Sequence, residues 1–182
     1  MILPIVAYGE NILKTKAVNI TSGYPELKKL INDMWETMYN ANGVGIAAPQ
    51  IGKSIRLFVI DASPFSEDKE ISGDEISTLK NFKKVFINPE IIHETGDEWN
   101  FMEGCLSIPN IREDIKRKEK ITIKYYNESF EEIELDLEGL AARVVQHEYD
   151  HIEGVLFIDK LSSLKKKLLK GKLNDISKGK IK

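Results

Sequence analysis

Val145-Gln146-His147-Glu148-Tyr149-Asp150-His151 is the stretch from which both the fold and the chemistry of this chain can be approached. Its two histidines are four positions apart, so on a helix they point from the same face, with a glutamate directly after the first. A helix within residues 139–154 is predicted because four residues recur on a 3.6-residue period: Leu140, Val144, His147 and His151. Such a helix can offer two imidazoles to one divalent metal ion and hold Glu148 beside it.

A catalytic metal site of this kind needs a third protein ligand, which the residues after His151 do not offer in a known protease pattern. Phe157 stands where metzincin proteases carry their third histidine, and no glutamate follows Glu153 to complete a thermolysin-like site. Two upstream residues remain as candidates. His93 is expected in a turn, and Cys105 follows a glycine. The residue pattern alone leaves the choice between them open.

The bulk composition favours one globular domain. The chain has 182 residues, 42% hydrophobic and 30% charged, and a net charge of −3, so nothing global demands nucleic acid or a membrane. Its single cysteine excludes an intrachain disulfide and suits a reducing compartment. The first residues do not resemble a signal peptide, and no apolar run approaches a membrane span, so a cytoplasmic protein is expected.

Charge is distributed unevenly along the chain. Residues 62–82 contain five acids and two lysines, and they are expected to form a surface excursion. Residues 160–182 contain nine lysines and one acid, and they are expected to form a final amphipathic helix with a basic outer side. The leucines proposed for its apolar side are Leu161, Leu164, Leu168 and Leu169.

Helical and strand-like segments are segregated along the chain, which favours an α+β fold over alternating βαβ units. The α+β fold is expected to have antiparallel β-sheets packed around the central histidine-bearing helix, with a C-terminal helix. A further helix is predicted over residues 25–40, and strand candidates cover residues 55–61, 84–92, 121–125 and 133–137. The last two alternate apolar and polar residues and are predicted to pair in antiparallel fashion.

Three segments together resemble the signature motifs of bacterial peptide deformylases, in the same order and at similar separations: Gly43–Gln50, Glu103–Ser107 and Gln146–His151. The resemblance covers Met1 to about Leu164. It therefore implies a catalytic domain over residues 1–164, with residues 165–182 as a basic C-terminal helix and tail of the same domain. Three motifs that match together are far more specific than the histidine motif alone.

The resemblance implies that Cys105, His147 and His151 bind one divalent metal ion. Fe²⁺ is the metal expected in cells, and Zn²⁺, Ni²⁺ or Co²⁺ are tolerated in the family. Glu148 is implied as the general base, because a carboxylate beside the metal can take a proton from water and pass it to the leaving amine. Gln50, through its side-chain amide, and Leu106, through its backbone N–H, are implied as donors to the oxyanion.

The resemblance also implies a substrate-binding region that receives an extended formyl-methionyl peptide. Small residues in the first motif, such as Gly43, would let the peptide backbone approach closely. Glu103 and Arg112 are expected to support or position the peptide, and the aliphatic stem of Arg143 to help line a methionine pocket. The full set of residues implied for this region is Val44, Gly45, Phe101, Glu103, Gly104, Arg112, Leu140, Arg143 and Val144.

The function expected from the sequence is metal-dependent hydrolysis of the formyl group on the N-terminal formyl-methionine of newly made proteins, with release of formate. Its partners would be N-formylmethionyl nascent polypeptides, and the basic C-terminal helix is a candidate for contact with ribosomal RNA. Two alternatives use the same helix: a metallopeptidase, and a metal-binding protein without catalysis. The presence of Glu148 and Gln50 argues against the last, since a structural metal needs neither a base nor an oxyanion donor.

Overall fold

Residues 1–68, 71 and 73–181 are described by a computed structural model, and in them five strands form one antiparallel sheet. Each strand pairs with its neighbours in the chain, in the order β1-β2-β3-β4-β5. The elements are α1 Leu27–Asn40, β1 Gly45–Ala47, β2 Leu57–Asp61, α2 Gly73–Lys80, β3 Lys83–Cys105, β4 Ile108–Tyr126, β5 Glu132–Glu138, α3 Gly139–Ile152 and α4 Ser163–Ser177. The predicted α+β class is confirmed, with one sheet where the sequence suggested more than one.

Strands β3 and β4 form a long hairpin whose tip carries the only cysteine. Cys105 pairs with Ile108, so only Leu106 and Ser107 lie between the two strands. The sequence predicted a strand at residues 84–92 and a turn at His93. The strand begins at Lys83, within one residue of the prediction, but it continues to Cys105, so the predicted end and the turn were wrong. His93 lies inside β3 opposite Thr122. Beyond residue 92 the side chains of the strand are mostly exposed. This part of the strand has no alternation of apolar and polar residues, so the sequence pattern did not predict it.

The antiparallel pairing predicted for the last two strands is confirmed. Ile121 lies opposite Leu137 and Ile123 opposite Leu135, as expected for two alternating segments that place their apolar residues on one face. Strand β5 ends at Glu138, where α3 begins directly. The pairing of β4 with β5 therefore fixes the position at which the histidine-bearing helix begins.

Helix α3 is the central helix, because ten of its fourteen residues are buried. Its apolar residues Leu140, Val144 and Val145 belong to the main core cluster between helix and sheet. The helix runs over Gly139–Ile152, within the predicted bounds. Gly154 follows with φ of 74° and its N–H donates to the carbonyl of His151, a C-terminal arrangement that glycine adopts without strain.

Helices α1 and α4 lie close to their predicted positions. The apolar side predicted for α4 was partly wrong, since Leu164 and Leu168 are 68% and 74% exposed. Leu169, Leu173 and Ile176 are the residues that this helix buries. None of the helices in the described residues is both long and apolar enough to cross a membrane.

The acidic segment between β2 and β3 is more than a surface excursion. Its ends are joined by a hydrogen bond from the N–H of Ala62 to the carbonyl of Phe82, and both residues are buried. Leu79 of α2 is buried in the same core cluster as α3. Lys69, Glu70 and Ser72 of this segment, and Lys182 of the basic tail, lie outside the described residues. Of the described acids, Glu67, Asp68 and Asp74 are exposed, whereas Glu75 is half-buried; the apolar residues Leu79 and Phe82 pack into the core.

Candidate active site

Three metal-ligand side chains from two distant parts of the chain meet at one point. Cys105 comes from the hairpin tip, and His147 and His151 come from adjacent turns of α3. Their ligand atoms all lie within 4.8 Å of one another. His93 is exposed on β3 and is not part of this group. Of the two upstream candidates, only the cysteine is therefore placed beside the histidines.

The chemistry of this group fits a catalytic metal ion. One sulfur and two imidazole nitrogens are a known ligand set for a tetrahedral ion with a position left open. Cys105 Sγ lies 3.3 Å from His151 Nε2, which places the two donor atoms side by side. Burial lowers the pKa of His151 well below its usual value, so its imidazole is neutral, as a ligand must be. In the described residues, buried His151 Nδ1 has no hydrogen-bond partner.

His147 is oriented by a buried carboxylate. Its Nδ1 lies 2.9 Å from Glu103 Oε2, which leaves Nε2 free to face a metal ion. Burial alone would lower the pKa of His147, but hydrogen bonds with Cys105 and Glu103 outweigh it and raise the pKa to about 10 in the metal-free chain. A metal ion bound to this imidazole would displace that proton.

Glu103 itself is held by two buried arginines. Arg117 donates to both of its carboxylate oxygens, at 2.7 and 2.9 Å, and Arg143 donates to Oε1 at 3.1 Å. Arg117 also donates to Asp150 at 2.6 Å, which ties the network back to α3. Burial would raise the pKa of Glu103, but Arg117 and His147 hold it far below its usual value. Glu103 therefore stays ionised and orients His147.

Glu148 lies beside the histidines with almost no polar partner. Its side chain is buried, and Oε2 accepts no hydrogen bond from the described residues. Burial raises its pKa to about 7, so the carboxyl group can exchange a proton near neutral pH. A Cβ on Gly45 would lie 2.5 Å from Glu148 Oε1, so the glycine leaves the room that this carboxylate occupies.

Gln50 is fixed with its amide nitrogen toward the cysteine. Its Oε1 accepts a hydrogen bond of 2.8 Å from the N–H of Ala47, which decides the orientation of the amide. Its Nε2 donates to Ser107 Oγ at 3.2 Å and lies 3.5 Å from Cys105 Sγ. Leu106 follows the cysteine in the hairpin tip and lines the same cavity. Gln50 thus presents a buried donor next to the ligand group.

These side chains surround a cavity of about 350 Å³, which is at the small end of the range for ligand sites. Cys105, His147, Glu148, Gln50 and Leu106 all line it. Most of the residues expected to contact substrate line it too: Val44, Gly45, Phe101, Glu103, Gly104, Arg112, Arg143 and Val144.

Comparison with known proteins shows the family to which the chain belongs. A sequence profile of the polypeptide deformylase family matches residues 2–167. A peptide deformylase of Christiangramia forsetii is 61% identical over 181 residues, which cover 100% of this chain and 92% of that protein. The chain belongs to the polypeptide deformylase family. It is therefore an enzyme, a hydrolase of the deformylase type.

Solved structures agree with this assignment. The peptide deformylase of Thermus thermophilus superposes with a TM-score of 0.83 at 37% identity, covering 98% of this chain and 99% of that one. The peptide deformylase of Legionella pneumophila gives 0.82 at 39% identity, covering 99% and 98%. The arrangement of sheet, central helix and C-terminal helix is thus that of the deformylase family.

One residue expected in the substrate region lies elsewhere. Leu140 borders a second, larger cavity of about 1270 Å³ between α2 and the sheet, and it does not line the deformylase cavity. Four residues separate Leu140 from Val144, so the two share a helix face but lie one turn apart. The larger cavity contains none of the metal-ligand side chains, so its size does not make it the site of the chemistry.

Several residues of the site were not found from the sequence. Arg117, which donates a hydrogen bond to Glu103, lies in a segment of β4 that is rich in charged residues. Ser107, which accepts a hydrogen bond from Gln50, lies at the hairpin tip. Arg143 was expected to contribute only its aliphatic stem, yet its guanidinium is buried and bonded to Glu103. Phe65, from the acidic segment, also lines the cavity. No local pattern marks these residues, because each reaches the site through tertiary contacts.

Proposed function

We propose that this deformylase hydrolyses the formyl group of N-terminal formyl-methionine in newly made proteins, releasing formate and a free amine. The observation that carries the proposal is the convergence of Cys105, His147 and His151, within 4.8 Å of one another, beside a cavity that is also lined by Glu148 and Gln50. Metal ligands, a base and an oxyanion donor are the parts that hydrolysis of an unactivated amide requires.

Cys105, His147 and His151 would hold the metal ion. When bound, a divalent ion supplies Lewis-acid chemistry, which lowers the pKa of water and polarises the formyl carbonyl. We propose Fe²⁺ as the ion in cells, with Zn²⁺, Ni²⁺ or Co²⁺ able to replace it. The thiolate of Cys105 makes the site sensitive to oxidation, since cysteine and ferrous iron are both oxidisable. Metal analysis of protein purified without oxygen tests the identity of the ion.

Glu148 would act as the general base and then as the general acid. Its carboxylate is buried beside the ligand group and has an oxygen without a partner in the described residues, so it can accept a proton from the attacking water and release it again. That proton goes to the amine nitrogen as the C–N bond of the formamide breaks. Products are formate and the free N-terminal amine.

Gln50 and Leu106 would stabilise the oxyanion that forms on the formyl oxygen. The amide of Gln50 is already oriented by Ala47, so little reorganisation is needed in the transition state. The backbone N–H of Leu106 follows Cys105 at the hairpin tip and would supply a second donor. A donor fixed in this way contributes roughly 3–4 kcal/mol.

The substrate peptide would bind in extended form beside β1. This strand pairs only with β2 in the described sheet, so its outer edge can accept another backbone. Gly43 and Gly45 flank the site there, and a side chain on Gly45 would collide with Glu148. Arg112 is exposed at the cavity and suits contact with the peptide further along.

A single assay separates this proposal from its alternatives. Anaerobically prepared protein loaded with Fe²⁺ should release formate from formyl-Met peptides and leave internal peptide bonds intact. Cleavage of internal bonds would instead select the metallopeptidase. Stoichiometric metal binding without turnover of either substrate would select the non-catalytic metal protein.

We also propose a cytoplasmic location, where nascent chains are made, and contact between α4 and ribosomal RNA. The basic side of α4 supports the contact, because lysines such as Lys167 and Lys170 are exposed. Truncation of α4 would also remove buried Leu169 and Leu173, so charge reversal is the better test. Lys167→Glu with Lys170→Glu should weaken ribosome binding most at low salt and leave peptide turnover unchanged. Unchanged binding would refute the contact.

A further inference from the structure

The acidic segment between β2 and β3 reaches the active site through one residue, Phe65. This phenylalanine lies in a short 3₁₀ helix, Ser63–Glu67, directly after β2. Its half-buried ring lines the cavity that holds Cys105, His147 and Glu148. Apart from Phe65, none of the described residues of the segment lines that cavity.

The ring of Phe65 completes an aromatic corner of the cavity. It packs edge-on against Phe101, with centroids 6.3 Å apart and planes at 76°. Phe101 contacts Trp99 at 5.6 Å, and the guanidinium of Arg143 lies 4.3 Å from the Trp99 centroid. Arg143 is anchored in turn by Glu103. The corner is therefore held by the same buried network that orients His147.

The segment that carries Phe65 is anchored on both sides. Behind it, the N–H of Phe65 donates to the carbonyl of Ala62 at 3.0 Å, and Ala62 is tied to Phe82. Further along, Glu75 of α2 accepts a hydrogen bond of 2.8 Å from the N–H of Leu140, at the start of α3. The 3₁₀ helix that carries Phe65 is therefore tied to the end of β2, and α2 is tied separately to the start of the central helix.

From this placement we infer that Phe65 is a specificity-determining residue, which forms one wall of the pocket for the side chain of the formylated residue. The inference rests on the proposed function of the cavity. A thioether favours contact with ring edges, and the corner of Phe65 and Phe101 offers two ring surfaces at a steep angle. The same wall limits the space for a bulkier side chain. The acidic segment thus contributes to substrate choice.

Two variants test the inference in opposite directions. Phe65→Ala opens the wall and removes the aromatic contact, so kcat/KM for formyl-Met peptides should fall about 3- to 10-fold, mainly through KM. Formyl-Phe peptides should be unaffected or improved, so the preference for Met over Phe decreases. Phe65→Trp fills the space and should exclude formyl-Phe more than formyl-Met, so the preference increases.

The matched control is Pro64→Ala, an exposed neighbour in the same 3₁₀ helix that does not line the cavity. It should leave the preference and both rates unchanged. All proteins are loaded with Fe²⁺ anaerobically, and their metal content is measured, because a structural effect would lower metal content or kcat equally for both peptides. If Phe65→Ala does not fold, Phe65→Trp carries the test.

The outcomes distinguish the inference from the function on which it rests. Wild-type protein that hydrolyses no formyl peptide refutes the proposed function and the inference together. Active wild-type protein with a Met-to-Phe preference that changes less than about twofold in the variants refutes the role of Phe65 alone, since a pocket wall should change it more. A preference that moves in opposite directions in the two variants supports the inference.

Discussion

Glu103 and Glu148 are both buried beside His147, yet their surroundings push them to opposite protonation behaviour. Glu103 receives hydrogen bonds from Arg117 and Arg143, and its pKa is held far below the usual range. Glu148 has an oxygen without a partner, and burial raises its pKa to about 7. One carboxylate is kept ionised to orient a ligand, and the other is kept ready to exchange a proton.

The difference arises from which elements face each residue. Glu103 projects from β3 toward cations supplied by β4 and α3, which neutralise its charge. Glu148 projects from α3 toward the backbone at Gly45 of β1, and its Oε2 receives no hydrogen bond from the described residues. Two identical side chains therefore acquire different roles from their neighbours. Variants of each should fail in different ways.

The largest effect is expected from Glu148→Gln. The amide keeps the size of the side chain but cannot accept the proton, so kcat should fall by about 10²- to 10⁴-fold. Metal content should stay near that of the wild type, because Cys105, His147 and His151 are unchanged. Formate release and metal analysis on the same preparation measure both quantities. Loss of metal together with activity would show that Glu148 supports the ligands instead.

Glu103→Ala should lower both the stability of the fold and the affinity for the metal ion. It leaves Arg117 and Arg143 buried without their shared carboxylate, which should lower the free energy of unfolding by about 3–5 kcal/mol. Loss of the contact with His147 should also weaken metal binding by about 10- to 100-fold. Chemical denaturation and metal competition titrations measure these effects.

Glu113→Ala is the matched control for Glu103→Ala. It removes a carboxylate from β4 that is paired with Lys165 on the outside of the fold, at 2.7 Å. An ion pair of that kind is worth less than about 1 kcal/mol. Equal destabilisation by the two variants would contradict the view that Glu103 balances buried charge.

The two glutamates should give opposite pH dependence to the stability of the metal-free protein. Above about 4.5, Glu148 ionises in the unfolded chain but stays protonated in the folded one until about pH 7. It therefore lowers stability as pH rises through this window, by about 3 kcal/mol in total. The lowered pKa of Glu103 has the opposite sign, so its contribution is present above about 4.5 and is lost as the pH falls below it.

Thermal denaturation of metal-free protein across this range checks both signs. Glu148→Gln should be more stable than the wild type at about pH 8 and nearly equal to it at about pH 5. A difference that does not depend on pH would show that Glu148 is ionised in the folded protein throughout. The acid-side loss of stability should be smaller in Glu103→Gln, since that variant has no carboxylate to protonate.

The smallest effect is expected at a third, partly exposed acid, Glu75. It hydrogen-bonds the N–H of Leu140 at the start of α3, the helix that carries Glu148. Glu75→Ala should lower the free energy of unfolding by about 1 kcal/mol, as loss of a helix cap does. Glu75→Gln should lower it less, because an amide oxygen can still accept the bond. A larger loss in Glu75→Gln would mean that the charge matters more than the hydrogen bond.

Sequence patterns predicted the parts of the fold whose signal is local. The helical spacing of residues 139–154 and the alternation in residues 121–125 and 133–137 both led to correct elements. The extent of β3 was missed, because its middle has exposed polar residues on both faces and shows no apolar period. The apolar side of α4 was misjudged, since four leucines fit more than one face of a helix.

The candidate site divides in the same way. Two histidines and Glu148 follow from one seven-residue stretch, because a helix places residues four apart on the same face. Cys105 was reached only through resemblance to a family, since nothing near it in the sequence points to metal binding. The residues that tune the site were not found, as with Arg117 and Phe65, whose partners are far away in the chain.

The sequence by itself determined the helix, its two imidazoles and the base between them, because these depend on a repeat of 3.6 residues within one element. Tertiary structure decided everything that needs two elements to meet. The β3–β4 hairpin brings Cys105 to the histidines. Charge pairing with Arg117 lowers the pKa of Glu103, whereas burial raises the pKa of Glu148. Burial and charge pairing are properties of neighbours in space, and neighbours in space exist only once the chain has folded.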